Sequence, residues 1–272
     1  MEEFDRLVEI MARLRGQGGC PWDRQQTHRS IRPYVIEEAY EVAEAIDADD
    51  PRELCAELGD LLLQVVFHAQ MAHEAGRFDI GDVVKAIIDK MHRRHPHVFA
   101  DVVVRDAGDV VQNWEAIKAA ERGPSASAID GVPRSLPALQ RASRIGEKAS
   151  RVGFDWASAA DVLPKLDEER EELREALVSG DAAAIEHELG DWLFAAANLG
   201  RKLGVDPEAA LRAAVDRFDE RFRHVEAETR AAGEDMAATD PAVLDARWEA
   251  AKRSAGTPRL DLTPRASIAN KS

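Results

Sequence analysis

The sequence predicts an all-α protein built from two tandem domains, and three observations carry that prediction. Apolar residues recur mostly at helical spacing, whereas the alternation typical of strands is nearly absent. The same acidic pattern occurs twice, first at Glu37 and again 131 residues later at Glu168. A length of 272 residues also fits about two domains. We therefore expect two repeated domains of four or five helices each.

The first domain is predicted to span residues 1–121. Its first helix ends at a glycine-rich loop that lacks the Gly-Lys-Ser/Thr ending of a phosphate-binding loop. The turn signal Asp49-Asp50-Pro51 separates the next two helices, and Pro96 ends a fourth. The predicted helices cover 3–15, 31–47, 51–75 and 80–95, and a short segment, Trp114 to Lys118, closes the domain.

A segment rich in proline, glycine and small residues, 122–137, predicts a linker between the domains. The second domain, 138–253, repeats the plan around the turn signal Ser179-Gly180-Asp181. Its predicted helices cover 138–151, 159–178, 182–203 and 207–232. The last residues, 254–272, are polar, include two prolines and predict a disordered tail.

Each domain is predicted to gather four carboxylates on a helical hairpin. Residues equidistant from the bend of an antiparallel hairpin lie side by side, and i, i+3 spacing stacks two acids on one face of a helix. Glu41 and Glu57 are both eight residues from position 49, while Glu38 and Asp60 are both eleven from it. In the second domain, Glu172 and Glu188 are each eight residues from Gly180, and Glu169 and Asp191 are each eleven from it. The acids are Glu38, Glu41, Glu57 and Asp60 in the first domain, and Glu169, Glu172, Glu188 and Asp191 in the second.

Four converging carboxylates repel one another unless a cation compensates them. Hard oxygen ligands without histidine or cysteine suit Mg²⁺ or Mn²⁺ better than Zn²⁺. One acidic motif alone is more often a solvated helix face. Two copies that agree in residue type, in symmetry about a turn and in the apolar run that follows favour two metal sites.

Each domain also carries a pair of cations one helical turn apart. A metal on one side of a polyphosphate and fixed positive charge on the other is the arrangement that such a ligand needs. An ordinary salt-bridged surface is the alternative for either pair taken alone. The pairs are Lys90 with Arg94, and Arg217 with Arg221.

A tryptophan and a lysine at i, i+4 spacing end both domains. The indole could stack on a nucleobase or pack at a domain edge, and its chemistry alone favours packing. The two pairs are Trp114 with Lys118, and Trp248 with Lys252.

Composition limits which binding partners and which cellular location can be expected. A net charge of −15 argues against duplex nucleic acid, because no basic face large enough to neutralise many phosphates is evident. The acidic N-terminal start and the lack of an apolar run approaching ~18 residues support neither export nor membrane spanning, so a cytoplasmic protein is expected. Cys20 and Cys55 are expected to be unpaired thiols.

Several separated motifs mark the chain. They are Gly19-Cys-Pro-Trp-Asp23 with Gln26-Thr-His28, Glu37-Glu-Ala-Tyr-Glu41, Glu57-Leu-Gly-Asp60, Arg93-Arg-His-Pro-His-Val-Phe99, Val152-Gly-Phe-Asp-Trp156 and Glu188-Leu-Gly-Asp191. With these motifs in the family's order and both tandem domains present, the chain resembles the MazG family of nucleoside triphosphate pyrophosphohydrolases over essentially its whole folded length.

The resemblance implies an all-α homodimer that uses Mg²⁺ to hydrolyse NTPs and dNTPs to the monophosphate and pyrophosphate. It implies the two acid sets given above as metal ligands, and nucleotide contacts at Arg217, Arg221, Trp248 and Lys252, with Lys90, Arg94, Trp114 and Lys118 as their first-domain counterparts. Arg217 stands where a lysine is expected, which keeps the charge and alters the donor geometry.

The expected reaction is attack of a metal-activated water on the α-phosphorus, with the cations stabilising the departing pyrophosphate. Glu37 and Glu168, the first acids of the two clusters, are assigned to orient or deprotonate that water.

Three other interpretations remain open. A pyrophosphatase specific for dUTP or for a phosphoribosyl nucleotide would share the acid clusters, but the tandem architecture fits it poorly. A di-iron bundle would need Glu-x-x-His pairs, which the acid helices lack. A non-catalytic nucleotide-binding or interaction protein with relict sites is disfavoured because neither acid set has lost a member.

Overall fold

The computed structural model describes residues 2–122 and 127–254, and within those ranges the chain is helical, with no strand. The all-α prediction is therefore confirmed for the described part of the chain. The chain divides into two compact units, Met1–Trp114 and Glu115–Ser272. Each unit contains its own helical hairpin.

The first unit contains the four predicted long helices, now α1, α3, α4 and α5, and their ends agree with the predicted ends to within one residue. Two short helices, α2 and α6, begin at prolines and were not predicted. The helices are α1 (Glu2–Arg15), α2 (Pro21–Gln25), α3 (Arg32–Asp47), α4 (Pro51–Glu74), α5 (Ile80–Arg94), α6 (Pro96–Phe99) and α7 (Ala107–Arg122), which continues past the end of the unit.

Helix α4 is the central helix of the first unit. It contacts α1, α3 and α5. Its apolar residues Val66, Phe67 and Met71 form a buried cluster with Met11 of α1 and with Ile31. Because this apolar face of α4 is buried, the helix is fixed in rotation, which also fixes where its acids Glu57 and Asp60 lie.

Three residues, Ala48, Asp49 and Asp50, form the turn between α3 and α4. Asp49 has φ +52, in the left-handed region that ends many helices. The side chain of Asp50 accepts hydrogen bonds from the N–H groups of Arg52 and Glu53, and Pro51 occupies the first helical position. This capping fixes the point at which α4 begins.

The second unit repeats the hairpin. Its α9 begins at Leu163, four residues later than predicted, because Ser158 forms a turn by donating from its N–H and hydroxyl to Asp161. The helices are α8 (Ala138–Ser150), α9 (Leu163–Ser179), α10 (Ala182–Lys202), α11 (Pro207–Ala231), a 3-10 turn (Met236–Ala238) and α12 (Pro241–Ser254).

Helix α10 has the central place that α4 has in the first unit. It contacts α8, α9 and α11. Gly180, with φ +71, ends α9, and Asp181 accepts hydrogen bonds from the N–H groups of Ala183 and Ala184 to cap α10. These two residues stand 131 positions after Asp49 and Asp50, so the two turns occupy the same positions of the repeat.

An ion triad joins the loop after α8 to the end of α10. Asp155 binds Arg201 at 2.5 Å and Lys202 at 2.6 Å. Burial alone would raise the pKa of Asp155, but the hydrogen bonds from Arg201 and Lys202 outweigh burial and lower it. The triad therefore stabilises the ionised carboxylate and ties the loop to the hairpin.

Part of the predicted linker is ordered against α8. The N–H of Ser127 donates to the side chain of Asp130, and the buried Lys148 ammonium donates to the Asp130 carbonyl oxygen at 2.6 Å. Residues 123–126 of that linker and 255–272 of the predicted tail lie outside the described residues. Among the helices that are described, none combines the length and apolarity needed to cross a bilayer.

Candidate active site

The first carboxylate cluster is held by the hairpin of α3 and α4. Oxygen atoms of Glu38, Glu41 and Glu57 all lie within 4.8 Å of one another. Helix α3 supplies the first two from successive turns, and α4 supplies the third from across the hairpin. Three carboxylates at this separation repel one another when they are ionised together.

The pKa values of this cluster reflect that repulsion. Burial raises the pKa of Glu38, and the charges of Asp60 and Glu41 raise it further against the opposing effect of a hydrogen bond from Gln64. Burial also raises the pKa of Glu57, with the charge of Glu41 as the next cause. Asp60 lies outside the group of three, yet its charge acts on both Glu38 and Glu57.

The second cluster has the same geometry. Oxygen atoms of Glu169, Glu172 and Glu188 lie within 4.8 Å of one another, and Glu169 is only 4% exposed. Burial raises the pKa of Glu172, as do the charges of Glu169 and Glu188. Asp191 follows Glu188 by one turn of α10, and its carboxylate lies 3.4 Å from Nε2 of His187.

A lysine outside the predicted site residues contacts the second cluster. Lys165 Nζ is 2.7 Å from Oε1 of Glu169 and 3.0 Å from Oε1 of Glu168. Hydrogen bonds to Glu169 and Glu168 raise the pKa of Lys165. The spacing of three and four residues along α9 would have been sufficient to find this contact.

In the first unit, a neutral side chain from α4 contacts the cluster. Nε2 of Gln64 donates to Oε1 of Glu38 at 3.3 Å. Tyr34 stands where the repeat places Lys165, and its ring lies 6.4 Å from that of Trp22. Glu37, the proposed water-orienting acid of this unit, is exposed on α3. The two clusters therefore share their acids but differ in the groups beside them.

The cation pairs lie on helices that pack against the acid-bearing hairpins. Helix α5, with Lys90 and Arg94, contacts α4, and α11, with Arg217 and Arg221, contacts α10. In both units, the cation helix thus lies against the helix that supplies the second pair of acids. Among the described residues, Nε of Arg221 is a buried donor with no hydrogen-bond acceptor.

Both tryptophans make aromatic contacts next to the cation helices. The ring of Trp114 meets His95, at the end of α5, edge-on at 5.0 Å. The ring of Trp248 lies 5.2 Å from that of Phe218, which follows Arg217 on α11. Lysines one turn further on are Lys118 on α7 and Lys252 on α12, and Lys252 pairs with Glu249 at 2.5 Å. The indoles are therefore packed against neighbouring aromatic residues.

An apolar cavity of about 260 Å³ lies beside the first cluster. Gln64 connects the two, since it lines the cavity and binds Glu38. The other lining residues come from α3, α4 and α5 and the loop before α5. They are Val35, Leu61, Val65, His68, Ala69, Phe78 and Val83.

Fold and site together define a class of protein, namely an all-α chain of two repeated units that each gather carboxylates on a helical hairpin. The model of the MazG nucleotide pyrophosphohydrolase domain matches the chain twice, at residues 26–99 and 157–226. These stretches contain both hairpins and both cation pairs. The chain belongs to the MazG nucleotide pyrophosphohydrolase family.

Relatives match nearly the full chain. The nucleoside triphosphate pyrophosphohydrolase of Escherichia coli strain K12 is 48% identical over 260 residues, covering 93% of this chain and 98% of the relative. The nucleoside triphosphate pyrophosphohydrolase/pyrophosphatase MazG of Thermotoga maritima is 48% identical over 250 residues, covering 92% of this chain and 95% of the relative. The similarity therefore spans both units.

Proposed function

We propose that the chain is a Mg²⁺-dependent nucleoside triphosphate pyrophosphohydrolase, which converts NTPs and dNTPs to the monophosphate and pyrophosphate. The convergence of three carboxylates on the hairpin of each unit carries the proposal. The names of the Escherichia coli and Thermotoga maritima relatives support the same activity.

The residues present fit a divalent metal. The donors are carboxylate oxygens, which Mg²⁺ prefers, and Mn²⁺ is the proposed substitute. The raised pKa values of Glu57 and Glu172 indicate clusters that a cation would stabilise. A bound metal would polarise phosphate oxygens and lower the pKa of a water molecule. The proposed ligands are Glu38, Glu41, Glu57 and Asp60, and Glu169, Glu172, Glu188 and Asp191.

The remaining residues have proposed roles in moving a proton and holding charge. Glu37 or Glu168 orients the attacking water and accepts its proton. The water oxygen bonds to the α-phosphorus, and the bond from that phosphorus to the α–β bridging oxygen breaks with its electron pair passing to pyrophosphate. The charge on pyrophosphate is stabilised by Lys90 and Arg94 or by Arg217 and Arg221, while Trp114, Lys118, Trp248 and Lys252 contact the nucleotide.

We further propose that the domains span 1–121 and 138–253 and that the enzyme is a homodimer. The domain limits place α1–α6 and all of α7 except its last residue in one domain, and α8–α11 and all of α12 except its last residue in the other. The dimer is supported by apolar side chains that a single chain leaves exposed on α10, among them Leu189, Leu193 and Phe194. The apolar cavity of the first unit supports the same proposal, because a side chain of a second copy could fill it.

Hydrolysis of ATP by the full chain in ¹⁸O-labelled water, with Mg²⁺, tests the bond that is cut. Attack at the α-phosphorus puts the label in AMP, and pyrophosphate is released in one step with no ADP. A panel of NTPs and dNTPs should give the same pattern for several bases.

The control is a full-length variant with both clusters disabled, Glu41→Gln with Glu172→Gln, which should release pyrophosphate about 100-fold more slowly. Label in inorganic phosphate with ADP accumulating would identify a γ-phosphatase and refute the proposal. Metal-dependent nucleotide binding without any turnover would instead support a non-catalytic protein with relict sites.

A further inference from the structure

Three side chains of the first unit form a short hydrogen-bonded chain between separate parts of the fold. Nη2 of Arg77 lies 2.7 Å from Nε2 of His28, and Nδ1 of His28 lies 2.7 Å from Nδ1 of His68. The two imidazole rings are nearly parallel, with centroids 5.0 Å apart. His28 belongs to the loop between α2 and α3, His68 to α4, and Arg77 to the turn after α4. The hydrogen bonds therefore tie that loop to α4.

The donors and acceptors of these three side chains fix where the protons lie. A guanidinium offers only donors, so Arg77 donates to Nε2 of His28. The proton of the neutral His28 ring is then on Nδ1, which donates to Nδ1 of His68, and His68 keeps its own proton on Nε2. A second proton on either ring would set one N–H group against another. The arrangement is therefore intact only while both imidazoles are neutral.

The surroundings of His68 also disfavour a charged ring. His68 lines the apolar cavity beside the first cluster, together with Val35 of α3 and Val83 of α5. Among the described residues, no side chain that lines this cavity is acidic. The titratable group in contact with His68 is His28, which in turn contacts Arg77. Burial lowers the pKa of His68, and the charge of His28 lowers it further.

The loop that carries His28 leads directly into α3. Its last residue, Ile31, is fully buried in the core cluster and immediately precedes α3. The second unit has different residues at the matching places, because the positions 131 residues after His28 and His68 are Ala159 and Leu199. Neither of those side chains forms hydrogen bonds. The second unit therefore lacks the histidine pair.

We propose that His28 and His68 form a pH switch, which holds residues 26–31 on α4 at neutral pH and releases them when the imidazoles are protonated. A histidine whose pKa is lowered by folding contributes stability that is complete above the ordinary value of 6.5. That stability is lost as the pH falls through the lowered value. Residues 26–31 are expected to loosen at this mildly acidic pH, while the helices, whose core is apolar, stay formed.

Hydrogen exchange of the full chain in EDTA, measured by mass spectrometry between about pH 7.5 and pH 5, tests the switch. After correction for the pH dependence of intrinsic exchange, protection of residues 26–31 should fall by up to about tenfold per pH unit below the lowered pKa of His68. Residues 157–162 occupy the same positions of the repeat and include no histidine. They are the internal control, and their protection should stay constant.

Two variants and a control separate the switch from other effects of acid. His68→Leu installs the residue of the second unit and should make the protection of residues 26–31 independent of pH over this range. His73→Leu is the matched control, because His73 is an exposed histidine on the same helix, and it should keep the pH dependence of the parent. NMR titration should place the pKa of His68 below 6.5 in the parent and closer to 6.5 in His28→Ala.

Three results would overturn the proposal. The first is a protection of residues 26–31 that stays constant down to about pH 5. The second is an equal loss of protection in the parent and in His68→Leu, or in residues 157–162, which would assign the effect to a general loosening of the chain by acid. The third is a measured pKa of His68 at or above 6.5 in the parent.

Discussion

A single carboxylate in these clusters has two opposing effects, since it attracts a cation and repels its neighbours. Glu172 illustrates both, because burial and the charges of Glu169 and Glu188 raise its pKa. Its replacement by glutamine removes a ligand and also removes a repulsion. Activity and metal-free stability are therefore expected to move in opposite directions.

The first prediction concerns Glu172→Gln in a full chain whose first cluster is silenced by Glu41→Gln and Glu57→Gln. Loss of outer partners of a metal ligand costs about 10–100-fold in affinity or activity, so loss of a ligand should reach about 100-fold. Pyrophosphate release measures activity, and thermal unfolding in EDTA should show no loss of stability. Glu171→Gln, an exposed acid paired with Arg174, is the control and should keep full activity.

A second prediction concerns Arg221, whose Nε is buried without an acceptor among the described residues. A charge-assisted hydrogen bond contributes about 1.5–3 kcal/mol, so Arg221→Ala should lower kcat/KM for a triphosphate about 10–100-fold. Steady-state kinetics of a full chain that also carries Glu41→Gln and Glu57→Gln measure this loss. Arg223→Ala, on the same helix but exposed and paired with Asp219, should change little; equal kinetics for the two variants would make Arg221 an ordinary surface residue.

At the scale of elements, the two hairpin turns adopt the same backbone conformation with different residues. The backbone of both turns enters the left-handed region at the same position of the repeat, with φ +52° at Asp49 and φ +71° at Gly180. A side chain makes that region unfavourable by about 1–2 kcal/mol, with aspartate tolerated better than most residues. The first hairpin therefore carries backbone strain that the second avoids.

The third prediction follows from that difference. Asp49→Gly should stabilise the chain by about 0.5–1 kcal/mol, and Gly180→Ala should destabilise it by about 1 kcal/mol. Denaturant unfolding of the full chain gives both values. Ala48→Gly is the control, since Ala48 has φ −78 in the helical region and glycine there should destabilise. A stability loss with Asp49→Gly would mean that the Asp49 side chain contributes more than its strain costs.

The hairpins could be predicted from the sequence because mirror spacing about a turn depends only on helix geometry. The predicted acids Glu38, Glu41 and Glu57 do come together. The contact of Gln64 with Glu38 could not be foreseen, because it depends on rotamers across two helices. The pairing of Asp155 with Arg201 joins residues 46 apart along the chain, and only tertiary packing determines it.

At the scale of the whole molecule, the carboxylate clusters make stability depend on pH and metal together. The pKa values of Glu38, Glu57 and Glu172 lie above their ordinary value of 4.5. A raised acid pKa contributes stability that is present below the ordinary value and is lost as the pH rises through the raised one. Asp155 and Glu74 have lowered pKa values and act in the opposite sense.

The fourth prediction is therefore that the gain in Tm from Mg²⁺ over EDTA grows as the pH is raised from 4 toward 7. The metal compensates carboxylates that become charged over this range. Thermal unfolding of the full chain in both conditions measures the gain. A variant with both clusters disabled, Glu41→Gln with Glu172→Gln, should show a smaller gain. A gain that is constant with pH would contradict the electrostatic explanation.

The matched turns have a consequence for how the length of this chain can vary. Glu41 precedes Glu57 by 16 residues, and Glu172 precedes Glu188 by the same number. One residue inserted into α4 before Glu57 would rotate every later side chain of that helix by about 100°. Glu57 would then leave the cluster, although the helix itself would still form. Insertions and deletions should therefore be excluded from the hairpins and tolerated between helices, as in residues 100–106, where no helix has to keep its register.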